Sequence, residues 1–251
     1  MKKILIAASF TTVFCTSAQA DTLLGLYIGG QVWANEAKGN FGEGELDQAT
    51  FNFKDETQGS FFVALEHPIP LIPNIKISST VLDTVGNTTL TDSFTFGDET
   101  YSSNSELHTT FDANFIDYTF YYEILDNDLL TFDVGITARD LDSQINMLDQ
   151  ASTKSSDLSV SGILPLLYVN TIIGLPFTGF NVFAEANFSS YDDSTVYDYQ
   201  VGVSYELLDN LAVDLDLTLG YRGMKLELDD LDDLYSDITF EGIFAGAIVH
   251  F

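Results

Sequence analysis

Three histidines, His67, His108 and His250, are the chain's only side chains whose ordinary pKa suits general-base work near neutrality. A hydrolytic site on His108 would draw on Glu106 or Asp112 and on one of many serines as nucleophile. No Asp-x-His pair occurs anywhere, and nothing singles out one serine. The sole cysteine, Cys15, lies near the N-terminus, so thiolate chemistry and disulfides are not expected further along. The acidic run Asp229, Asp230, Asp232 and Asp233 offers carboxylates to a divalent cation. It lacks the Asp-x-Asp-x-Asp-Gly spacing of a calcium loop, so no metal site is expected there beyond weak candidates.

The elements that carry these residues alternate with period two. From Tyr197 to Leu207 the odd positions are Tyr, Tyr, Val, Val, Tyr and Leu, and the even ones are Asp198, Gln200, Gly202, Ser204 and Glu206. Residues 116–124, 130–139 and 213–222 repeat the pattern. A helix would scatter such a sequence around its axis, whereas a strand sorts it onto two faces. Ten strands are predicted, at about 23–35, 51–66, 74–86, 108–125, 129–140, 157–173, 180–191, 195–208, 211–227 and 235–251. Short connections (Pro68 to Pro73, Asp126 to Asp128, Pro176 to Gly179, Asp209-Asn210) alternate with longer ones at Glu36 to Thr50, Asn87 to Leu107, Leu141 to Ser156 and Asp229 to Leu234. Segment 157–173 is ambiguous, because Ile163-Leu164-Pro165-Leu166-Leu167 is apolar on both faces and contains a proline.

If the apolar faces meet lipid, the polar faces line an interior. That interior receives Glu66, Lys76, Asp117, Glu123, Asp133, Arg139, Glu185, Glu206, Asp214, Asp216 and Arg222. Basic groups among so many acids should pair across the lumen. Glu66 and Lys76 flank one turn and are expected to face each other. Arg139 and Arg222 are expected to find carboxylates on other strands, with Asp117, Glu185 and Asp198 as candidates. The tyrosines Tyr118, Tyr122, Tyr168, Tyr205 and Tyr221 are assigned to the lipid face, as interfacial girdles. An internal repeat aligns Tyr122-Glu123-Ile124-Leu125-Asp126-Asn127 with Tyr205-Glu206-Leu207-Leu208-Asp209-Asn210. Carried on, it sets Asp133 on Asp216 and Arg139 on Arg222.

The formal net charge is −29, with 38 acidic and 9 basic residues among 251, which excludes a nucleic-acid binder. Hydrophobic residues at 45% and aromatics at 13% argue against disorder. Residues 1–20 read as an export signal: Lys2 and Lys3, an apolar stretch from Ile4 to Val13, then Ala18-Gln19-Ala20 before a cut at Asp21. Phe14 before Cys15 argues against lipid attachment. Residues 21–251 then form one domain.

The chain ends on Phe251, after Gly246 and Val249, in a series alternating through Ile243, Ala245 and Ala247. This ending resembles the assembly signal of outer-membrane barrels, although Phe244 stands where that signal usually has a polar residue. Size, ending and strand pattern together resemble the small outer-membrane barrels in the OmpA-domain, OmpW and omptin size range. The stretch Glu66-His67-Pro68-Ile69-Pro70-Leu71-Ile72-Pro73-Asn74 resembles a periplasmic turn of a proteobacterial barrel family without assigned function. The resemblance implies an all-β, closed, antiparallel up-and-down barrel in a Gram-negative outer membrane, with both termini periplasmic. Its partners would be membrane lipid, lipopolysaccharide and the barrel-assembly machinery, with divalent cations at the acidic loops and no cofactor. A non-enzymatic role in envelope structure, surface interaction or narrow solute passage is expected. A rim-site hydrolase and a small cation-preferring channel are the alternatives.

Overall fold

The computed structural model describes residues 24–127, 129–191, 194–210 and 213–251, so the expected leader lies outside the described residues. In chain order the strands are β1 (Gly25–Gly44), β2 (Asp47–Phe53), β3 (Glu56–Glu66), β4 (Asn74–Thr80), β5 (Asp83–Thr89), β6 (Phe94–Phe96) and β7 (Glu99–Tyr101). They continue as β8 (Glu106–Asn127), β9 (Leu130–Asp149), β10 (Ser155–Leu175), β11 (Phe180–Tyr191), β12 (Ser194–Leu208), β13 (Asp214–Leu231) and β14 (Leu234–His250). β2 with β3, and β4 with β5, each make one interrupted wall strand, while β6 and β7 form a separate hairpin. β14 pairs back onto β1 from Tyr27↔His250 to Gly42↔Tyr235. The result is a ring of ten antiparallel strands, as the alternation predicts. Both described ends meet at the short-turn end, where Leu26 N donates to Phe251 O and Phe251 N to Leu26 O.

The strands are longer than predicted, and the reason is a change of solvent along each one. On β8 the outward residues Ile116, Tyr118, Phe120, Tyr122 and Ile124 form an apolar band, while Asp117, Thr119 and Tyr121 point inward and are buried. At about 3.3 Å per residue and a tilt near 40°, that band is roughly 20 Å tall, close to the hydrocarbon height of such barrels. Further up the same strand the faces exchange character. Leu107, Phe111, Ala113 and Phe115 are buried inside, and His108, Thr110, Asp112 and Asn114 face out. β9 does the same, with Leu141, Ile145 and Met147 inside and Asp140, Asp142 and Gln144 outside. Where lipid gives way to water, the apolar residues must turn inward to be buried.

The upper half therefore has its own apolar core, in which Phe41 stacks on Phe51 at 4.6 Å and packs against Phe96 and Phe111. The segments expected as loops at Glu36 to Thr50 and Leu141 to Ser156 are mostly strand for this reason. The lumen expected to be filled by polar ion pairs is polar only in its lower half. The expected loop Asp229 to Leu234 is also a hairpin. Leu231 pairs with Leu234, and Asp232 and Asp233 between them both have positive φ, the conformation a two-residue type I′ turn requires.

The ambiguous segment resolves as a continuous strand, β10, whose even residues point inward. Tyr168 is consequently buried in the lumen, not on the lipid face as expected; the doubly apolar run around Pro165 had hidden the parity. The other four tyrosines of the predicted girdle face out. β11 pairs with β10 only from Leu167↔Phe188 downward, because the β11–β12 hairpin stops short near the top of the apolar band. Among the described residues no strand pairs with that edge of β10 above Leu167. There, Asp232 Oδ2 at the β13–β14 tip accepts from Ser161 N at 3.1 Å.

Candidate functional site in the lumen

Midway up the barrel, inward charges from several walls meet. Arg139 on β9 is fully buried and donates to both oxygens of Asp117 on β8, at 2.8 and 2.7 Å. The two residues are direct cross-strand partners, which accounts for the bidentate fit. The same guanidinium reaches Asp198 on β12 at 2.9 Å and lies over the Phe115 ring at 3.8 Å. Arg222 on β13 donates to both oxygens of Asp198, at 2.9 and 2.7 Å, and stands 4.9 Å from the Trp33 ring on β1. Its remaining donors face Ser60 and Thr80 at 3.5 Å. The cluster thus spans the lumen from β3 and β4 to β12 and β13. A cavity of about 80 Å³ remains just below it. The apolar core begins directly above, with Met224, Phe115 and Leu141.

Beneath the cluster the lumen widens into a vestibule of about 720 Å³ that runs to the short-turn end. Lys76 is held there by Glu185 at 2.6 Å, with its ammonium 4.6 Å from the Phe62 ring and 5.7 Å from the Tyr168 ring. Tyr168 donates to Glu185 at 3.1 Å, and Tyr121 to Glu66 at 2.7 Å. Glu66 and Lys76 both point inward but do not face each other as expected. Lys76 stands opposite Ala64 in the ladder, and the turn register leaves Glu66 two residues further down. Asp133 accepts from Asn170 at 2.8 Å through Oδ2. Among the described residues its Oδ1 has no hydrogen-bond partner although the residue is only 3% exposed, and the buried Gln200 Oε1 is likewise unpartnered. Glu123, Asp126 and Asp216 complete the acidic wall.

Glu206 and Asp214 do not enter this network. Both lie at the mouth, where the pleat's inward direction opens onto solvent. Asp214 accepts from Asn210 N and stands 3.5 Å from His250. His250 stacks on Tyr27 at 4.1 Å, and His67 Nδ1 accepts from Ile69 N within its own turn. His108 meets the amide oxygen of Asn87 at 2.9 Å on the outer face, and among the described residues no acid or hydroxyl is hydrogen-bonded to its ring. Asp229, Asp230, Asp232 and Asp233 serve the β13–β14 hairpin, and no three metal-ligating groups converge among the described residues. Gly246 sits inside the ladder where an added Cβ would lie 2.6 Å from Gly30 O, so its place in the terminal signature also has a packing reason. Val249 and Phe251 continue the outward series of β14.

The repeated hairpins share more than sequence. Each carries a register shift at the same place, between Glu123 and Leu125 and between Glu206 and Leu208. In each the following asparagine caps the turn: Asn127 accepts from Leu129 N and Leu130 N, and Asn210 accepts from Val213 N. They differ where the cluster forms. Arg139 faces Asp117 across its ladder, but Arg222 faces Gln200, and so it turns to Asp198 two residues away.

Above the apolar band, Asp149 closes the β9–β10 connection. It accepts from Ala151 N at 2.9 Å and from Ser152 Oγ at 2.8 Å, and these bonds hold its carboxyl below the usual carboxylate range. A depressed folded-state pKa stabilises the loop above the unfolded value, near 4, and the benefit is lost as pH falls below that range. Hydrogen exchange at Ala151 should accordingly accelerate on acidification below about pH 4, and Asp149→Asn should remove that pH dependence. Exchange insensitive to pH in the native protein, after correction for intrinsic rates, would contradict the assignment.

No family model and no curated protein matches the chain. Solved structures do. The outer-membrane protease OmpT of Escherichia coli superposes with a TM-score of 0.51, over 90% of this chain and 96% of that one, at 10% identity. The fold is that of an outer-membrane β-barrel. The transport unit of the autotransporter AIDA-I from Escherichia coli aligns over 96% of this chain and 93% of its own, at 6% identity and TM-score 0.44. Neisserial surface protein A aligns over 89% and 96%, at 11% identity and TM-score 0.35. Protease activity belongs to OmpT; at such identity the likeness describes the architecture of this barrel alone.

Proposed function

We propose that this protein is a closed, non-catalytic barrel of a Gram-negative outer membrane that serves as a surface or envelope component. In this reading the short turns and termini face the periplasm, and the water-facing half stands outside the cell. The observation that carries it is the filled interior: the Arg139–Asp117–Asp198–Arg222 cluster spans the lumen, and an apolar core sits directly above it. A channel reading would need a polar path through both, and a hydrolase reading would need an acid or hydroxyl at His108 in place of Asn87. Outward Asp83, Asp112, Asp140, Asp142 and Asp157 above the apolar band give the outer wall an anionic surface. Contact with lipopolysaccharide phosphates would then run through divalent cations.

Planar-bilayer recording on refolded protein tests the reading. Folded protein, recognised by faster migration on an unboiled gel, should insert and show no discrete conductance steps. Arg139→Ala with Arg222→Ala should remain non-conducting, because the apolar core above is untouched. Stable cation-selective steps from the native protein would overturn the proposal.

A further inference from the structure

The short turns are of two kinds. β8–β9 and β12–β13 turn through Asp126-Asn127 and Asp209-Asn210, which carry charge and a capping amide. The β3–β4 turn, Pro68-Ile69-Pro70-Leu71-Ile72-Pro73, and the β10–β11 turn, Leu175-Pro176-Phe177-Thr178-Gly179-Phe180, carry no charge. These two hold four of the chain's five prolines. In each, the residue after a proline has a positive φ, 70° at Leu71 and 66° at Phe177. The other described non-glycine residues with positive φ are Asn104, Asp230, Asp232 and Asp233, whose short polar side chains tolerate it. Leucine and phenylalanine do not, and here they are 91% and 108% exposed. Thr178 N donates to Leu175 O, so Phe177 holds the turn position that glycine normally takes. Glycine would serve both turns better unless the apolar side chain itself is needed at the tip.

We infer that these two turns are lipid anchors, with Leu71 and Phe177 set into the acyl boundary of the leaflet at the short-turn end. The occupant is lipid because the apolar band of the wall continues into both turns. Ile173, Leu175 and Phe180 lead into one, and Val63 and Ile77 into the other, all exposed on the outer wall. The backbone is also arranged for a dry setting. Tyr122, on the lipid face, donates to Leu71 O at 2.9 Å. Leu175 O accepts from Thr178 N at 3.2 Å and Thr178 Oγ1 at 2.7 Å, and that hydroxyl accepts from Phe180 N at 3.1 Å. The prolines remove further donors outright. Polar backbone at the edge of hydrocarbon must be satisfied within the protein, whereas water would have served all of these groups. Which leaflet is meant rests on the orientation proposed above; burial in lipid does not, and conductance and depth are separate measurements.

Nitroxide labels on protein refolded into dilauroylphosphatidylcholine vesicles test this. The chain from Asp21 onward has no cysteine of its own, so Leu71→Cys and Phe177→Cys each give a unique site. Val201→Cys, on the outer face of the apolar band, is the lipid reference; Leu46→Cys and Asp209→Cys, at exposed turns, are the water references. Collision with oxygen relative to an aqueous nickel chelate should match Val201 at both turns and exceed Leu46 and Asp209 several-fold. Every variant is first checked for folding by gel mobility. If a label prevents folding, Phe177→Trp decides. After subtraction of the native Trp33 signal, acyl-brominated lipid should quench its fluorescence more than acrylamide does. Turn labels as open to nickel as that at Leu46, or a tryptophan quenched mainly by acrylamide, overturn the inference and leave the tips to a periplasmic protein. A label at Asp209 as sheltered as that at Phe177 overturns it too, because turn chemistry would then not decide what is submerged.

Discussion

Asp198→Ala should lower the stability of the folded barrel by about 3–5 kcal/mol, the range for removing one partner from a buried ion pair. Asp198 takes three of the cluster's close bonds, one from Arg139 and two from Arg222. Without it Arg139 keeps its bidentate hold on Asp117, but Arg222 is left with two hydroxyls at 3.5 Å and the flank of Trp33. A guanidinium cannot shed its charge to adapt. The urea midpoint of the barrel folded into vesicles should fall accordingly, while Arg222→Met combined with Asp198→Leu should recover much of the loss, since an apolar pair of similar volume needs no counter-ion. An Asp198→Ala barrel as resistant to urea as the native one would show that water satisfies Arg222 and that the cluster contributes little.

A second pair of substitutions tests the exchange of faces above the apolar band. Ile145 on β9 is fully buried in the upper core, and its neighbour Gln144 faces outward beside Asp112. Ile145→Glu places a carboxylate in the apolar cluster that holds Phe111, Leu107 and Met147. It should cost more than about 4 kcal/mol, read as protease sensitivity of the upper half or as failure to give the fast-migrating folded form. Gln144→Glu, one residue away, should stay within about 0.5 kcal/mol of the native protein. Equal tolerance at both positions would mean that the upper half is hydrated inside and lacks the core described.

Much of this architecture can be read from alternation alone. The strand count, the inward set around Asp117, Arg139 and Arg222, and the repeated hairpin all follow from residues two apart. The upper core is hidden from that reading because parity says only that two faces differ. Phe111 and Phe115 lie on the same face as Asp117, and no local feature marks where lipid ends and water begins. The cluster's acids were legible, since Asp117 and Asp198 both stood among the candidate partners of Arg139 and Arg222, but their sharing was not. Asp198 and Gln200 both face inward from one strand, and only the ring's geometry brings the former to two arginines. Tyr121 was legible as an inward residue, but its bond to Glu66 depends on the proline-rich turn's register. The orphan acceptors Asp133 Oδ1 and Gln200 Oε1 have no sequence signal at all, since being unpartnered is a property of the assembled lumen.

The short β11–β12 hairpin has a consequence for association between copies. A closed ring abolishes strand edges, yet above Leu167 one flank of β10 has no strand partner among the described residues. Such a flank is a template on which another chain's strand could dock and grow. Several features here oppose that outcome. Pro165 cannot donate to an incoming ladder, Asp157 places a negative charge on the outward face, and Ser161 N is already taken by Asp232. The hairpin tip that supplies Asp232 therefore occupies a donor that an incoming strand would otherwise need.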